Sequence, residues 1–275
     1  NSTAAGIYAK ASGKNGTAIG HSSLASGETN STAVGSNAEA SGSYSTALGK
    51  SAKASAYSSI ATGLAAKASG SQSLATGQNS IATSNNSIAI GTNALTGNVR
   101  RKEDGSIDFA YDQSVEVTDN NAVDAVAIGN GSWAAKKQST AMGASAKARG
   151  ENSTAAGIFA EASGINSTAI GENAKAGGTL NENGAIDADN YGRSTAVGGN
   201  AEASGNWSTA LGKGATSSGE GSTASGVAAK ANGKESTAIG HYTVAGGDTS
   251  VAIGSQHTTA SGAGSVAVGE TSVAT

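Results

Sequence analysis

The chain of 275 residues contains no cysteine and no proline, and only two tryptophans, two phenylalanines and one methionine. Without cysteine, disulfides and thiolate metal sites are excluded. Large side chains supply most of the bulk of an ordinary core, so a thick two-layer core is not expected. The absence of proline agrees with a backbone that donates to sheet ladders throughout, since proline cannot donate.

Charged residues are also scarce. They make up 13% of the chain, with 17 Lys and Arg against 20 Asp and Glu and a net charge of −3. The basic residues are spread evenly, so a nucleic acid partner is not expected. There is no run of 18 apolar residues and no charged-then-apolar leader, and direct membrane contact is not expected from these residues. Because the chain starts and stops within a repeat, we expect a single head-domain fragment over 1–275.

Glycine is abundant, with 41 residues, and much of it belongs to a Ser-Thr-Ala-x-Gly repeat that recurs 17 times with a dominant period of 14. Two spacings are 15 residues, and two are long because of insertions. A period this short is too small for helical pairs and predicts a β-solenoid with one coil per repeat. The repeats begin at Ser2, Gly16, Ser31, Ser45, Ser59, Ser73, Ser87, Ala125, Ser139, Ser153, Ser167, Ser194, Ser208, Ser222, Ser236, Ser250 and Ser265.

Each position of the repeat, numbered from one at these starts, carries its own constraint. Position three is Ala and position five is Gly in all 17 repeats. The glycine predicts a turn with positive φ or a close backbone approach. Position twelve is Gly in most repeats, with Ala56, Ser84 and Lys136 as departures, and predicts a second turn half a coil away. Two short strands and two turns per coil describe a flattened roll.

Alternation along the strands assigns their faces. Position nine is often charged, as in Lys10, Glu39, Lys53, Lys67, Lys147, Glu161, Lys175, Glu202 and Lys230, and is predicted to point to water. Positions eight and ten are mostly Ala or Ser, and together with the Ala at position three they are predicted to form a very thin interior.

Position four lies on the opposite face from the interior Ala, yet it is Ile, Val, Leu or Met in 12 of 17 repeats. An apolar stripe of this length is more than a soluble monomer exposes, so we predict an interface between parallel copies of the chain. The repeat period alone does not fix the number of copies. The predicted interface residues are Ile19, Val34, Leu48, Ile90, Ile128, Met142, Ile170, Val197, Leu211, Ile239, Ile253 and Val268.

The unit NSTAIGENAKAGG at 166–178, with variants NSIAIG at 86–91 and SVAIG at 250–254, closely resembles the head repeats of trimeric autotransporter adhesins, typified by the Yersinia adhesin. This resemblance implies an all-β, left-handed parallel β-roll of 14-residue repeats, with three chains forming an intertwined or side-by-side trimer. It also implies a location on the bacterial cell surface, with a stalk and an outer-membrane anchor in the full-length protein.

For function, the resemblance implies attachment to host cells or to extracellular matrix proteins of the collagen, fibronectin or laminin class. In the Yersinia member SVAIG-type segments are implicated in collagen binding, and the best matches here are 87–91, 126–129, 250–254 and 265–269. Two alternatives are autoagglutination, through head-to-head contact between bacteria, and a structural spacer. An ice-binding solenoid would also stack Thr and Ala, but here the Thr shares its face with Ile and Val.

Two insertions interrupt the repeat at about 97–124 and 178–193, and they share the phrases EDGSID and ENGAID. Asp-Gly and Asn-Gly favour tight hairpin turns, so each insertion is predicted to be a β-hairpin. It would either bind a ligand or, as we favour, pack on a neighbouring chain. The candidate contacts are Arg100, Arg101, Lys102, Phe109, Tyr111 and Tyr191.

Little in the sequence points to catalysis. His21, His241 and His257 are scattered, with no acidic partner at a ligand spacing. Serine and threonine are frequent, but none lies in a recognisable nucleophile context. The sequence therefore predicts a protein that is not an enzyme, with no catalytic, metal or cofactor site.

Overall fold

The computed structural model describes residues 1–97, 122–177 and 192–275. These residues form two compact units, Asn1–Ala144 and Ser145–Thr275. Each unit is built from short parallel β-strands, with two strands and two turns per coil. The described residues include no long apolar helix of the kind that spans a membrane.

In the first unit, the strand that opens each coil pairs with the equivalent strand of the next coil in a parallel sheet, and the second strands of the coils form another parallel sheet. The opening strands are β1 (Thr3–Ala5), β3 (Thr17–Ile19), β5 (Thr32–Val34), β7 (Thr46–Leu48), β9 (Ile60–Thr62), β11 (Leu74–Thr76), β13 (Ile88–Ile90), β15 (Val126–Ile128) and β17 (Thr140–Met142). The second strands are β2 (Lys10–Ala11), β4 (Leu24–Ala25), β6 (Glu39–Ala40), β8 (Lys53–Ala54), β10 (Lys67–Ala68), β12 (Ile81–Ala82), β14 (Leu95–Thr96) and β16 (Trp133–Ala134).

The second unit has the same arrangement. Its opening strands are β19 (Thr154–Ala156), β21 (Thr168–Ile170), β23 (Thr195–Val197), β25 (Thr209–Leu211), β27 (Thr223–Ser225), β29 (Thr237–Ile239), β31 (Val251–Ser255) and β33 (Val266–Glu270). Its second strands are β18 (Lys147–Ala148), β20 (Glu161–Ala162), β22 (Lys175–Ala176), β24 (Glu202–Ala203), β26 (Thr216–Ser217), β28 (Lys230–Ala231), β30 (Val244–Ala245), β32 (Thr259–Ala260) and β34 (Val273–Ala274). The predicted solenoid of parallel coils, about 17 within the described residues, is confirmed.

Neighbouring coils pair in register, position for position. Ala33 pairs with Ala47 within an uninterrupted run. The register also holds on either side of the insertions, where Ile88 pairs with Val126 and Thr168 pairs with Thr195. The insertions therefore leave the sheet of opening strands continuous, and equivalent side chains form rows along each unit.

The interior consists almost entirely of alanine, as predicted. The alanines at positions three, eight and ten of one coil, Ala33, Ala38 and Ala40, are fully buried. Ala4, in the first coil, is exposed because a neighbouring coil covers it on one side only. The serine at position one is also buried, and the hydroxyl of Ser45 donates to the Gly42 carbonyl oxygen at 2.6 Å. One methyl group per position is enough to fill so thin a roll.

The two turns need glycine for different reasons. At position five Gly35 has φ 132°, and an added Cβ would lie 2.5 Å from the Gly49 carbonyl oxygen of the next coil, so both predicted reasons apply. At position twelve Gly70 is not in the positive-φ region, but its Cβ would lie 2.0 Å from the Ser84 carbonyl oxygen. Close stacking of the coils, and not backbone conformation, selects glycine in the second turn.

Candidate interaction surface

The side chains at position four lie on the outside of the roll, as predicted. We call this row of aliphatic side chains the position-four stripe. Eight of its members expose between 39% and 46% of their surface, and Val268 exposes 64%. Val34, Ile90 and Val197 are half-buried. The chain itself covers none of these side chains completely, so about half of an apolar row faces outward.

In-register pairing makes the stripe continuous over runs of coils. Ile19 pairs with Val34, and Val34 pairs with Leu48. In the second unit Ile170 pairs with Val197, the residue that follows it across the second insertion. Further paired members are Ile90, Ile128 and Met142, then Val197 and Leu211, and then Ile239, Ile253 and Val268. The assignment of this stripe to an interface between chains stays a prediction.

The opposite face of each coil is polar. The charged residues predicted at position nine are exposed or half-buried, and Lys10 and Glu202 are among the exposed ones. Ion pairs on this side include Lys53 Nζ with Glu39 Oε2 at 3.1 Å and Arg149 Nη1 with Glu161 Oε1 at 3.0 Å. The Lys53–Glu39 pair is partly exposed, and pairs of that kind add little stability. This face therefore has the character of a solvated surface.

The side chain at position nine does not face solvent in every coil. The prediction that position nine points to water is therefore wrong for some coils. Ile81, Leu95 and Trp133 occupy it in three successive coils and pair in register. Ile81 is buried and Leu95 is 0% exposed, the largest fully buried side chain of the described residues. The Trp133 indole Nε1 donates to the Gly97 carbonyl oxygen at 2.9 Å. The signal was visible in the sequence, because the three coils flanking the first insertion replace Lys or Glu by large apolar residues.

Exposed aromatic side chains at the turns are a feature that the sequence analysis missed. Tyr44 and Tyr57 make an edge-to-face contact with ring centroids 5.6 Å apart. Tyr242 lies between His241, at 4.2 Å, and His257, at 5.7 Å. Tyr44 and Tyr242 have φ of 61° and 55°, which is uncommon for bulky residues. The sequence could have indicated these exposed rings, because aromatic residues occur there at turn positions that are Asn or Ser in other coils.

The histidines are in turns and near aromatic rings, with His21 5.8 Å from the ring of Tyr8. Within 1–97, 122–177 and 192–275, no three or more His, Asp or Glu side chains come together as a metal-binding group. The expectation that the histidines bind no metal stays a prediction. The expectation that the protein is not an enzyme stays a prediction.

The SVAIG-type segments at 87–91, 126–129, 250–254 and 265–269 lie in opening strands, where Ile88 pairs with Val126 and Val251 pairs with Val266. The structure thus brings them together as two pairs of adjacent coils. The predicted hairpins at about 97–124 and 178–193 lie almost entirely outside the described residues. The candidate contacts Arg100, Arg101, Lys102, Phe109, Tyr111 and Tyr191 all lie outside them.

Comparison with known families agrees with the repeat geometry. A family model described as YadA head domain repeat (2 copies) matches well over half of the chain. No curated protein matches the chain. The residues matched by the family model are 1–23, 11–38, 28–52, 40–66, 68–94, 121–146, 134–160, 162–179, 192–215, 217–243, 231–256 and 258–275.

Proposed function

Because the chain belongs to the YadA head repeat family, we propose that it is the head of an adhesin carried on the bacterial surface as a homotrimer anchored in the outer membrane. Family membership supports an adhesin-type role in general. The head attaches the cell to host extracellular matrix proteins or to host cells. Its ligand-binding surface is the repeated outer surface of the assembled coils.

The position-four stripe is the observation that carries this proposal. Burying one aliphatic side chain contributes about 1.5–3 kcal/mol, and the stripe offers 12 of them in each chain. Parallel copies of a 14-residue repeat present the same residue at the same level in every coil, so all rows can be buried together. Three chains around one axis, as in the family, cover the stripe of every chain.

Repetition also suits the proposed ligands. Each coil offers nearly the same outer surface, so an arrayed ligand such as a matrix fibre meets many equivalent weak sites. Linking many weak sites in one molecule raises the overall affinity well above that of one site, without any deep pocket. A surface with few aromatic residues therefore binds through the number of its contacts.

Sedimentation equilibrium tests the assembly. The expected mass is three times the 26.2 kDa of one chain, independent of concentration in the micromolar range. A well-folded species with the mass of one chain would contradict the proposal.

Binding of the assembled protein to immobilised collagen, fibronectin and laminin tests the ligand class. We expect binding to at least one of them, with a slow dissociation that accelerates when the ligand is presented at low density. Beads coated with the protein provide the matched experiment for head-to-head contact. Clumping of the beads without binding to any matrix protein would favour autoagglutination instead.

A further inference from the structure

The position-four stripe is interrupted in five repeats, where the residue is Ala5, Thr62, Thr76, Ala156 or Ser225. Four of these five repeats carry an aliphatic residue at position six, two residues further on. None of the 12 repeats with an aliphatic residue at position four has Ile, Leu, Val or Met at position six. The position-six residues are Ile7, Leu64, Ile158 and Val227. Across the repeats of one chain, the large apolar side chain therefore lies either at position four or at position six, and not at both.

Geometry allows both positions to serve the same surface. They flank the glycine of position five, which has no side chain to separate them. In β31 and β33 the paired strand runs from position two to position six, so that Ile253 and Ser255 lie on one face by alternation. Leu64 exposes 44% of its surface and Val227 exposes 46%, as much as the position-four residues themselves.

The interior of the roll does not explain the exchange. In the repeat with Thr62 and Leu64, the interior residues Ala61, Ala66 and Ala68 are fully buried. The equivalent alanines of the preceding repeat, which has Leu48 at position four, are fully buried as well. The backbone hydrogen bonds between coils are also unchanged. The position-five amides of Gly49, Gly63 and Gly77 each donate to the position-four carbonyl oxygen of the preceding coil at 2.8 Å. An aliphatic side chain at position four or position six occurs in 16 of the 17 repeats, and the requirement for it therefore comes from outside the chain.

A partner that requires an apolar side chain in nearly every coil must itself have the 14-residue period. A second copy of this chain, parallel and in register, meets that condition, whereas an unrelated partner would contact only some coils. A small residue at position four would leave a void in such an interface, and voids between packed side chains are costly. An aliphatic residue at position six fills the same space from the other side of the glycine.

We propose that Ile7, Leu64, Ile158 and Val227 complete the interface between copies of the chain, each replacing the missing side chain at position four of its own coil. This inference rests on the proposed assembly and adds residues to it. The remaining interrupted repeat has Thr76 and Gln78, with no aliphatic residue at position four or position six.

The sequence supplies its own matched variants. Leu64→Thr leaves the coil with Thr at both positions, and adding Thr62→Ile turns residues 59–64 into SIAIGT, the natural sequence of residues 87–92. The dissociation constant of the assembly, measured by sedimentation over a dilution series, should rise at least tenfold in Leu64→Thr and return to within about threefold of the starting value in the double variant. Lys213→Thr, at position six beside Leu211, should change nothing.

An independent pair uses the second unit. Val227→Ser should weaken the assembly, and adding Ser225→Val should restore it, since residues 222–227 then read STAVGS like residues 31–36. Circular dichroism reports whether each variant keeps its fold. An assembled wild-type chain with no effect of Leu64→Thr or Val227→Ser, or with no rescue by the second substitution, would overturn this inference and leave the proposed function intact. A monomeric wild-type chain would overturn both.

Discussion

The two halves of each coil share the alanine interior and parallel register but differ in what they turn outward. The opening strand carries the aliphatic side chains of position four, with Ile170 pairing with Val197. The second strand of the same coils carries charges that alternate in register, Glu161 beside Lys175 beside Glu202. Since both halves are equally well supported from inside, the difference reflects what each half meets outside. The opening half has the chemistry of a surface to be covered, and the second half has that of a surface in water.

The largest effect should come from placing a charge on the opening half. In the proposed assembly, Ile170→Lys places an ammonium group at the same level in every copy, and burying these charges together should weaken association roughly a hundredfold or more. Sedimentation at micromolar concentration should show single chains that retain their β-sheet signal in circular dichroism.

Lys175→Thr is the matched control, because it alters the second half of the same coil and Thr216 already stands at position nine elsewhere. Assembly of this variant should be unchanged. Equal behaviour of the two variants would remove the distinction between the halves.

The two turns that join the halves should differ in how much stability is lost when their glycine is replaced by alanine, with the larger loss in the turn that follows the opening strand. Gly35→Ala meets a positive φ and a carbonyl oxygen 2.5 Å from its new Cβ, and we expect the free energy of unfolding to fall by about 3 kcal/mol or more. Gly42→Ala meets a close carbonyl oxygen but no positive φ, and Ala56 occupies the equivalent position one coil later. Its cost should be about 1–2 kcal/mol. Urea denaturation followed by circular dichroism measures both, and a smaller loss for Gly35→Ala would contradict this reading of the turns.

Leu95 is the place where the second half departs from its usual character. Leu95→Ala removes a fully buried side chain and should lower the free energy of unfolding by about 2–4 kcal/mol. Leu24→Ala changes the same repeat position in a coil where the side chain is half-buried, and should cost about 1 kcal/mol. The tryptophan emission spectrum, to which Trp133 and Trp207 both contribute, should shift only in the Leu95 variant, because Trp133 pairs in register with Leu95. Equal losses of unfolding free energy in the two variants would show that the buried position of Leu95 does not differ energetically from the same position in the rest of the second half.

Most of the fold could be predicted from the sequence because each constraint is written many times. The alanine of position three and the glycine of position five occur in every repeat, so the interior and the first turn follow from their periodicity. The burial of Leu95 could not be predicted this way, because it departs from the repeat and depends on what packs over one coil. The insertions occur once each and differ in most residues, so internal comparison says little about them.

The interaction surface was only partly predictable for a related reason. Alternation along a strand places the position-four side chains outside without any knowledge of a partner. From the sequence alone, alternation could not be extended to position six, because the glycine between the two positions ends the regular strand in most coils. Among the described strands, only β31 and β33 continue through this glycine. The aromatic residues Tyr44 and Tyr242 were missed because turn positions with positive φ accept many side chains that point to solvent.

The smallest effect should come from the ion pair of the second half. Lys53 and Glu39 are partly exposed and 3.1 Å apart, and an exposed pair contributes about 0–1 kcal/mol. Lys53→Ala should therefore lower the free energy of unfolding slightly in dilute buffer and not at all at high salt, where charges are screened. Lys230→Ala is the control, since its in-register neighbours are Thr216 and Val244. A double-mutant cycle with Glu39→Ala isolates the pair. A coupling free energy as large as the loss in Leu95→Ala, or one that persists at high salt, would mean that the charges of the second half contribute substantially to the stability of the fold.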